Sequence, residues 1–412
     1  MTFSSNIHFR AIPLGFLATP GEHRIQNAVF FKKRLYVGVI SHPVDATTTS
    51  IARLLRYYPG AERWEAVYEA VVEKSSVLSA TRPFPLELGW RALSIMPIDG
   101  GTEALCATLL SLRNAQLIYS TDGEHFEALP AVDVKQPRAA PFGLLHPFQS
   151  WLFATPVGAM SDGLYMRENG HASLYVTRNP RTGDWQPANA PGFGNPGNEV
   201  VHGLIDFHGW LYAAVGNPFA GFQLWRTQAV GPPPFTWELA LDTGARRYTL
   251  NPSVASMAIF QDALYLGTGV PETELLSDEV AGAEIIRIFP DNRWELVMGK
   301  PRFSPIGLQV PLSANSPGFD DSQNTLVAAL ASSNDVLYAA VVQRSQREIT
   351  GFQIRQTVDG ENWQQLHSPA FLNPCAYSLR VLLAMPNFLL AGGVWKFEAT
   401  TPDPEPSLWC FS

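Results

Sequence analysis

The sequence contains no run of about 18 apolar residues, so no membrane-spanning helix is expected. Its three cysteines, Cys106, Cys375 and Cys410, are isolated and odd in number. They suggest neither a disulfide framework nor a CxxC metal site, and a reducing cytoplasm is the simplest location. No His/Cys/carboxylate cluster has ligand spacing, so neither zinc nor iron nor any other cofactor is expected; a structural calcium held by backbone carbonyls stays compatible with the sequence. Basic residues are outnumbered, 29 against 37 acidic, for a formal charge of −8. Without a basic stripe, nucleic acid is disfavoured as a partner. The segment Met1 to Arg10 lacks the apolar core of a signal peptide. Helical periodicity is almost absent as well. Ile51 to Tyr58 reads as a short helix in isolation, yet it falls where a repeating unit needs a strand.

What the chain does have is apolar material (46 %), with 32 glycines and 33 prolines dispersed as for many tight turns. At 412 residues it exceeds the usual size of a single core, a limit that radial repeats escape because each unit adds its own core. A repeat is present. An apolar strand, a short polar hairpin and a Leu-Tyr strand recur as Val29 to Tyr36, Leu204 to Tyr212 and Met257 to Tyr265. Looser copies end at Leu105-Cys106, Leu152-Phe153, Leu337-Tyr338 and Leu389-Leu390, which makes seven. A third strand follows each, and then a fourth built around an aromatic, as in Arg63-Trp-Glu-Ala-Val67 and Arg293-Trp-Glu-Leu-Val297. Only six aromatic strands follow in order, because the chain ends at Leu408-Trp-Cys-Phe411; the seventh match is His8-Phe-Arg-Ala-Ile12 at the other terminus. The expected fold is therefore all-β: a seven-bladed β-propeller of four-stranded blades, its ring closed by the N-terminal strand. Residues 1–412 form a single domain, with inter-blade inserts at about 74–89 and 299–324. A stacked sandwich is the competing reading, but a four-strand period with a fixed outer aromatic is unlike a Greek key.

In a propeller, the inter-blade loops and the loops joining strands two and three open on one face. Three inter-blade loops share a motif: Ala190-Pro-Gly-Phe193, Ser316-Pro-Gly-Phe319 and Ser368-Pro-Ala-Phe371. Phe is expected to plug the gap between blades, and Asn198 and Asn324 to act mainly as turn residues. Aligning the inner strands on Leu-Tyr, and Arg91-Ala-Leu on Arg380-Val-Leu where the second hairpin is longer, gives a ring at the channel mouth: Gln26, Arg91, Gly143, His202, Ala255, Ala328 and Arg380. The two arginines are expected on opposite sides of that ring. They suit an anion, a carboxylate or a leaving halide, or they tie adjacent blades through Glu87, Glu199 or Asp320. His202 is a candidate base, with a structural bond to a neighbouring loop as the alternative. His208, in the opposite hairpin, reads as a turn residue. The insert from Gly299 to Asn324 carries Phe303, Leu308, Val310, Leu312 and Asp320-Asp321 and is a candidate lid, although the acidic pair also suits a solvated turn. The catalytic candidates are thus Arg91, Arg380, His202 and Asp320, and the substrate-binding candidates are Gln26, Tyr248, Tyr377 and Asn324.

Two family resemblances bear on function. Ser120-Thr-Asp-Gly-Glu-His-Phe126 and Thr357-Val-Asp-Gly-Glu-Asn-Trp363 resemble the structural Asp-box turns of sialidase-type propellers, although each is one residue short of the usual spacing. Pro191-Gly-Phe-Gly-Asn195, Asn198, Leu211-Tyr212, Asn217 and Gly221-Phe-Gln-Leu-Trp-Arg-Thr227 resemble the repeat of a bacterial propeller family. That family includes the propeller portion of cyanobacterial cyclophane-forming enzymes, which alkylate resorcinol rings with alkyl halides. The resemblance implies a natural-product tailoring enzyme that alkylates or cyclises an aromatic or anionic small molecule at the channel mouth. A non-catalytic ligand- or protein-binding propeller is the alternative, and glycoside hydrolysis of sialidase type the third reading.

Overall fold

The computed structural model describes residues 9–14, 21–43, 51–58, 63–71, 87–98, 102–111, 116–129, 142–156, 160–161, 164–165, 171–270, 281–305, 307–333, 335–345, 348–367, 375–386, 388–397 and 407–411. The expected insert 74–89 and Phe371 fall largely outside them. Within them the chain is almost entirely antiparallel strand, and Ile51–Tyr58 is a strand as the repeat requires.

Each Leu-Tyr copy folds as a hairpin, with Val29 opposite Tyr36 and Ala258 opposite Tyr265. In these two hairpins the turns are two-residue and left-handed, with φ of 47° and 63° at Lys32-Lys33 and 46° and 61° at Gln261-Asp262. Such turns match the twist of the strands they join. Third and fourth strands then pair outward in order, as in Val200–Phe207, Trp210–Gly216, Gln223–Thr227 and Glu238–Leu241.

Packing follows from period-two side-chain alternation. On the second strand Trp210–Gly216, Leu211, Ala213 and Val215 join Phe153 and Val176 of the preceding sheet. The alternate residues Tyr212 and Ala214 join Leu264, Leu266 and Ile286 of the following one. A strand buried on both faces needs a continuous apolar run, and this is why the Leu-Tyr signature was readable.

The inner strands succeed one another in a cycle. Gly21–Phe31 lies beside Glu87–Ile98, then come Phe142–Phe148, Val200–Phe207, Ser253–Phe260, Asn324–Ser333 and Ala376–Met385, which lies beside Gly21–Phe31 again. The two ends of the chain meet in one sheet. Phe9–Pro13 pairs antiparallel with Ser407–Phe411, from Phe9 opposite Phe411 to Pro13 opposite Ser407. Ile12 and Leu408 from these strands are buried in a shared apolar cluster with Trp395.

Candidate functional site

Every inner strand carries a β-bulge near its start, and the bulged residue is the same one each time. The pairing skips Gln26, Arg91, Gly143, His202, Ala255, Ala328 and Arg380. These are the residues that sequence alignment placed at the channel mouth. A bulge releases one residue from the ladder and re-aims its side chain, and such bulges cluster beside functional sites.

Three of the candidates take roles within the scaffold. Gln26 accepts the Trp90 backbone N–H at 2.6 Å, tying its strand to the next sheet. Asn324 is fully buried and its amide donates to the Gly318 carbonyl at 2.7 Å. Asp320 accepts from Asn315 Nδ2 (2.8 Å) and from the Ser316 backbone (2.7 Å), and these bonds hold its carboxyl below the usual range. It caps its own turn. Tyr248 lies exposed in the loop between the strands Glu238–Leu241 and Ser253–Phe260. Arg91 and Tyr377 are bulged at the backbone, and their side chains lie outside the described residues. Arg380 is exposed.

The arginines are not opposite one another. The strand of Gln26 lies between those of Arg380 and Arg91, so both belong to one sector of the cycle. His202 is separated from Arg380 by the strands of Ala255 and Ala328, and from Arg91 by the strand of Gly143 alone, so along the cycle it stands as close to Arg91 as Arg380 does. Part of the residue is open to solvent while the ring is packed among protein atoms, and among the described residues it makes no hydrogen bond. The surrounding protein pushes its pKa down to about 4, so the ring is neutral at ordinary pH. The ring covers Gly216 so closely that a Cβ there would lie 2.5 Å from Nε2.

Besides the Gln26 bond, further ties between sheets come from arginines that the sequence did not single out. Arg56 donates to Glu65 (2.9 Å) on its own sheet and to Glu124 (3.0 Å) on the third-to-fourth turn of the next. Arg287 repeats this with Glu295 (2.8 Å) and Glu361 (3.0 Å). Arg226 bonds Glu238 (3.2 Å) and the Pro290 carbonyl (3.1 Å). In register beside each stands a tyrosine, Tyr36, Tyr265 or Tyr212. The Asp-box turns are the surfaces grasped. Asp122 accepts from the backbones of Glu124 (2.7 Å) and His125 (2.8 Å), and Asp359 from those of Glu361 (2.9 Å) and Asn362 (2.7 Å).

The inter-blade loops form a second repeated device. Phe193 is buried and stacks on Trp225 at 5.3 Å, and buried Phe319 packs on Trp363 at 5.6 Å, so both plug the gap as expected. In each loop an Asn amide closes the turn: Asn198 to Gly192 (2.9 Å), Asn324 to Gly318 (2.7 Å) and, unforeseen, Asn251 to Gly244 (3.1 Å). The insert from Gly299 to Asn324 projects beside that third loop. Its short hairpin, Arg302–Ser304 with Gly307–Gln309, leaves Phe303 78 % and Leu308 55 % exposed. Phe219 (74 %) and Tyr248 (53 %) are exposed on the neighbouring loops.

Among the described residues no helix is long and apolar enough to cross a membrane, and no group of three or more His, Cys, Asp or Glu could hold a metal ion. No family model and no curated protein matches the chain. Among solved structures it is similar to a prolyl endopeptidase at TM-score 0.48 and 9 % identity, over 96 % of this chain and 50 % of that one. The chain thus spans about half the length of that enzyme. It is similar to the polysaccharide lyase Uly1 at TM-score 0.49 and 9 % identity, over 94 % and 89 %. A Trypanosoma rangeli sialidase in complex with sialic acid gives TM-score 0.42 and 9 % identity, over 82 % and 54 %. Likenesses this distant specify no activity for the chain.

Proposed function

We propose that these sheets are the seven blades of one β-propeller, closed by the Phe9–Pro13 strand, and that its bulge ring is the mouth of a small-molecule active site. The cyclic succession of inner strands and the pairing of the two chain ends support the architecture. One observation carries the functional reading: His202 is released from the ladder, partly open to solvent, unpaired among the described residues and neutral.

A neutral imidazole with so low a pKa is a weak base. It suits removal of a proton from a strongly acidic species, such as the cationic ring formed when an aromatic carbon is alkylated. The proton then passes to His202, while the departing anion is drawn to the arginine-bearing sector of Arg380 and Arg91. An aromatic substrate that gains a carbon–carbon or carbon–oxygen bond fits this division of labour. A second reading, a propeller that binds without turnover, is favoured by the exposed Phe219, Tyr248 and Phe303 on the insert-bearing face.

The test pairs phenolic rings with alkyl halides and follows products by mass spectrometry for wild type, His202→Gln and Arg380→Met. Loss of about 100-fold in turnover in either variant, with folding retained, supports catalysis. Binding of the phenols by all three proteins alike, without product, leaves the binding reading in its place.

A further inference from the structure

Glu284 is completely buried just ahead of the third strand of the fifth sheet. Its carboxylate receives Arg302 Nη1 (2.9 Å), the Lys300 backbone N–H (2.9 Å) and Asn251 Nδ2 (2.9 Å), and Arg247 Nε stands 3.5 Å away. The two guanidinium side chains are themselves only 10 % and 8 % exposed. Two buried cations thus share one buried anion, and a charge taken out of water without a partner is costly. Burial and the neighbouring Arg302 hold the Arg247 guanidinium below its ordinary pKa, even against the attraction of Glu284.

The imbalance has a definite location. Arg302 Nη2 is closed off from solvent and has no hydrogen-bond partner among the described residues. Arg246, next in the chain to Arg247, makes no ion pair or hydrogen bond among the described residues. A buried guanidinium donor with nothing to bind points to a missing acceptor.

We propose that this is an oxyanion site, in which the carboxylate or phosphate of a small ligand completes the shell of Arg302 and Arg247. Arg302 begins the insert hairpin, and its Nε holds the Ala245 carbonyl at 2.6 Å. Ligand entry therefore lifts the hairpin. The site is separate from the bulge ring and uses none of its residues.

Inorganic phosphate and benzoate serve as probes, titrated by calorimetry against the full chain with chloride holding ionic strength constant. Both are expected to bind above the chloride background. Arg302→Met should weaken both by about 10-fold or more, as loss of a charge-assisted bond implies. Phe303→Ala should leave both affinities unchanged, because neighbours on a strand face opposite sides and Phe303 is exposed where Arg302 is buried. Glu284→Gln removes the competing negative charge and should tighten both by several-fold, a gain that a purely structural role for Glu284 would not produce. Arg302→Lys keeps the charge and substitutes if the Met variant does not fold; it should lie between wild type and loss.

No binding above chloride, or equal affinity in wild type and the Arg302 variants, would overturn the proposal and leave a water at Nη2. The acids Glu272, Glu274, Asp278 and Glu279 precede Gly282 in the chain. If phosphate binds only after these are replaced by Gln and Asn, the acceptor is the chain's own segment, and the ligand site falls.

Discussion

His202 and Gly360 show how much one position depends on what stands over it. The His202 ring is neutral in the fold because the surrounding protein disfavours its charged form. Its pKa falls from an ordinary 6.5 to about 4, so the neutral ring's contribution to stability is complete above about pH 6.5. That contribution is lost as pH drops through about 4, because the unfolded chain takes up the proton first. Melting curves of wild type and His202→Gln from pH 8 to 4 should therefore converge or cross on the acid side. Parallel curves would mean that the ring is freely hydrated. His146, whose pKa burial also lowers, contributes in the same direction and cancels in the comparison. At Gly360 φ is +75°, and a Cβ would lie 2.0 Å from Tyr265 Oη; at Gly209 φ is +77° with nothing within 4 Å. Alanine at Gly209 meets backbone strain alone, about 1–2 kcal/mol. At Gly360 it adds a steric clash, for a total of about 2–4 kcal/mol, measurable by urea denaturation. Equal losses at the two sites would remove Tyr265 from the account.

At the scale of strands and turns, the ties between blades were only half legible. The Leu-Tyr and Trp-Glu dipeptides that defined the repeat supply two of the three partners, Tyr36 with Glu65 and Tyr265 with Glu295. The arginine between them escaped notice because the loop joining strands two and three varies in length, so no constant spacing marks Arg56, Arg226 and Arg287. In the sixth sheet the same row reads Tyr338, Gln356 and Gln364, with amides in place of the ion pair. Asn251 escaped for another reason. Its loop has Ala245 where the others have Phe, although the backbone is the same, with φ of 58° and 53° at Gly244-Ala245 against 61° and 55° at Gly192-Phe193. The bulge ring was legible because all the bulges but that of Arg91, whose hairpin is longer, occupy a constant place before the Leu-Tyr position, and Arg91-Ala-Leu matches Arg380-Val-Leu. The placement of the two arginines on either side of Gln26 is set by the order of sheets around the cycle, which local pattern does not encode. Arg56→Met should lower stability by about 1–3 kcal/mol, since the buried guanidinium joins two sheets through three bonded partners. Gln at Glu124 should cost less, because that carboxylate is half exposed. A larger loss at Glu124 in chemical denaturation would contradict this ranking.

For the whole molecule, each sheet is packed on both faces by its neighbours, so the missing strand of the last sheet matters everywhere. Deleting Met1 to Pro13 strips the partner of Ser407–Phe411 and leaves an open edge. Aggregation, or loss of a single cooperative transition, is expected by light scattering and calorimetry. A monomer with an unchanged melting temperature would show that the pairing adds nothing to the ring.

That pairing also sets how the molecule responds to a pull. Phe9 faces Phe411 while Pro13 faces Ser407, so both chain ends leave from the same end of one strand pair. Tension between the termini loads its hydrogen bonds one after another from that end rather than all together. Under a force probe the last sheet should open like a zip at low load, well before the interlocked apolar sheets elsewhere give way.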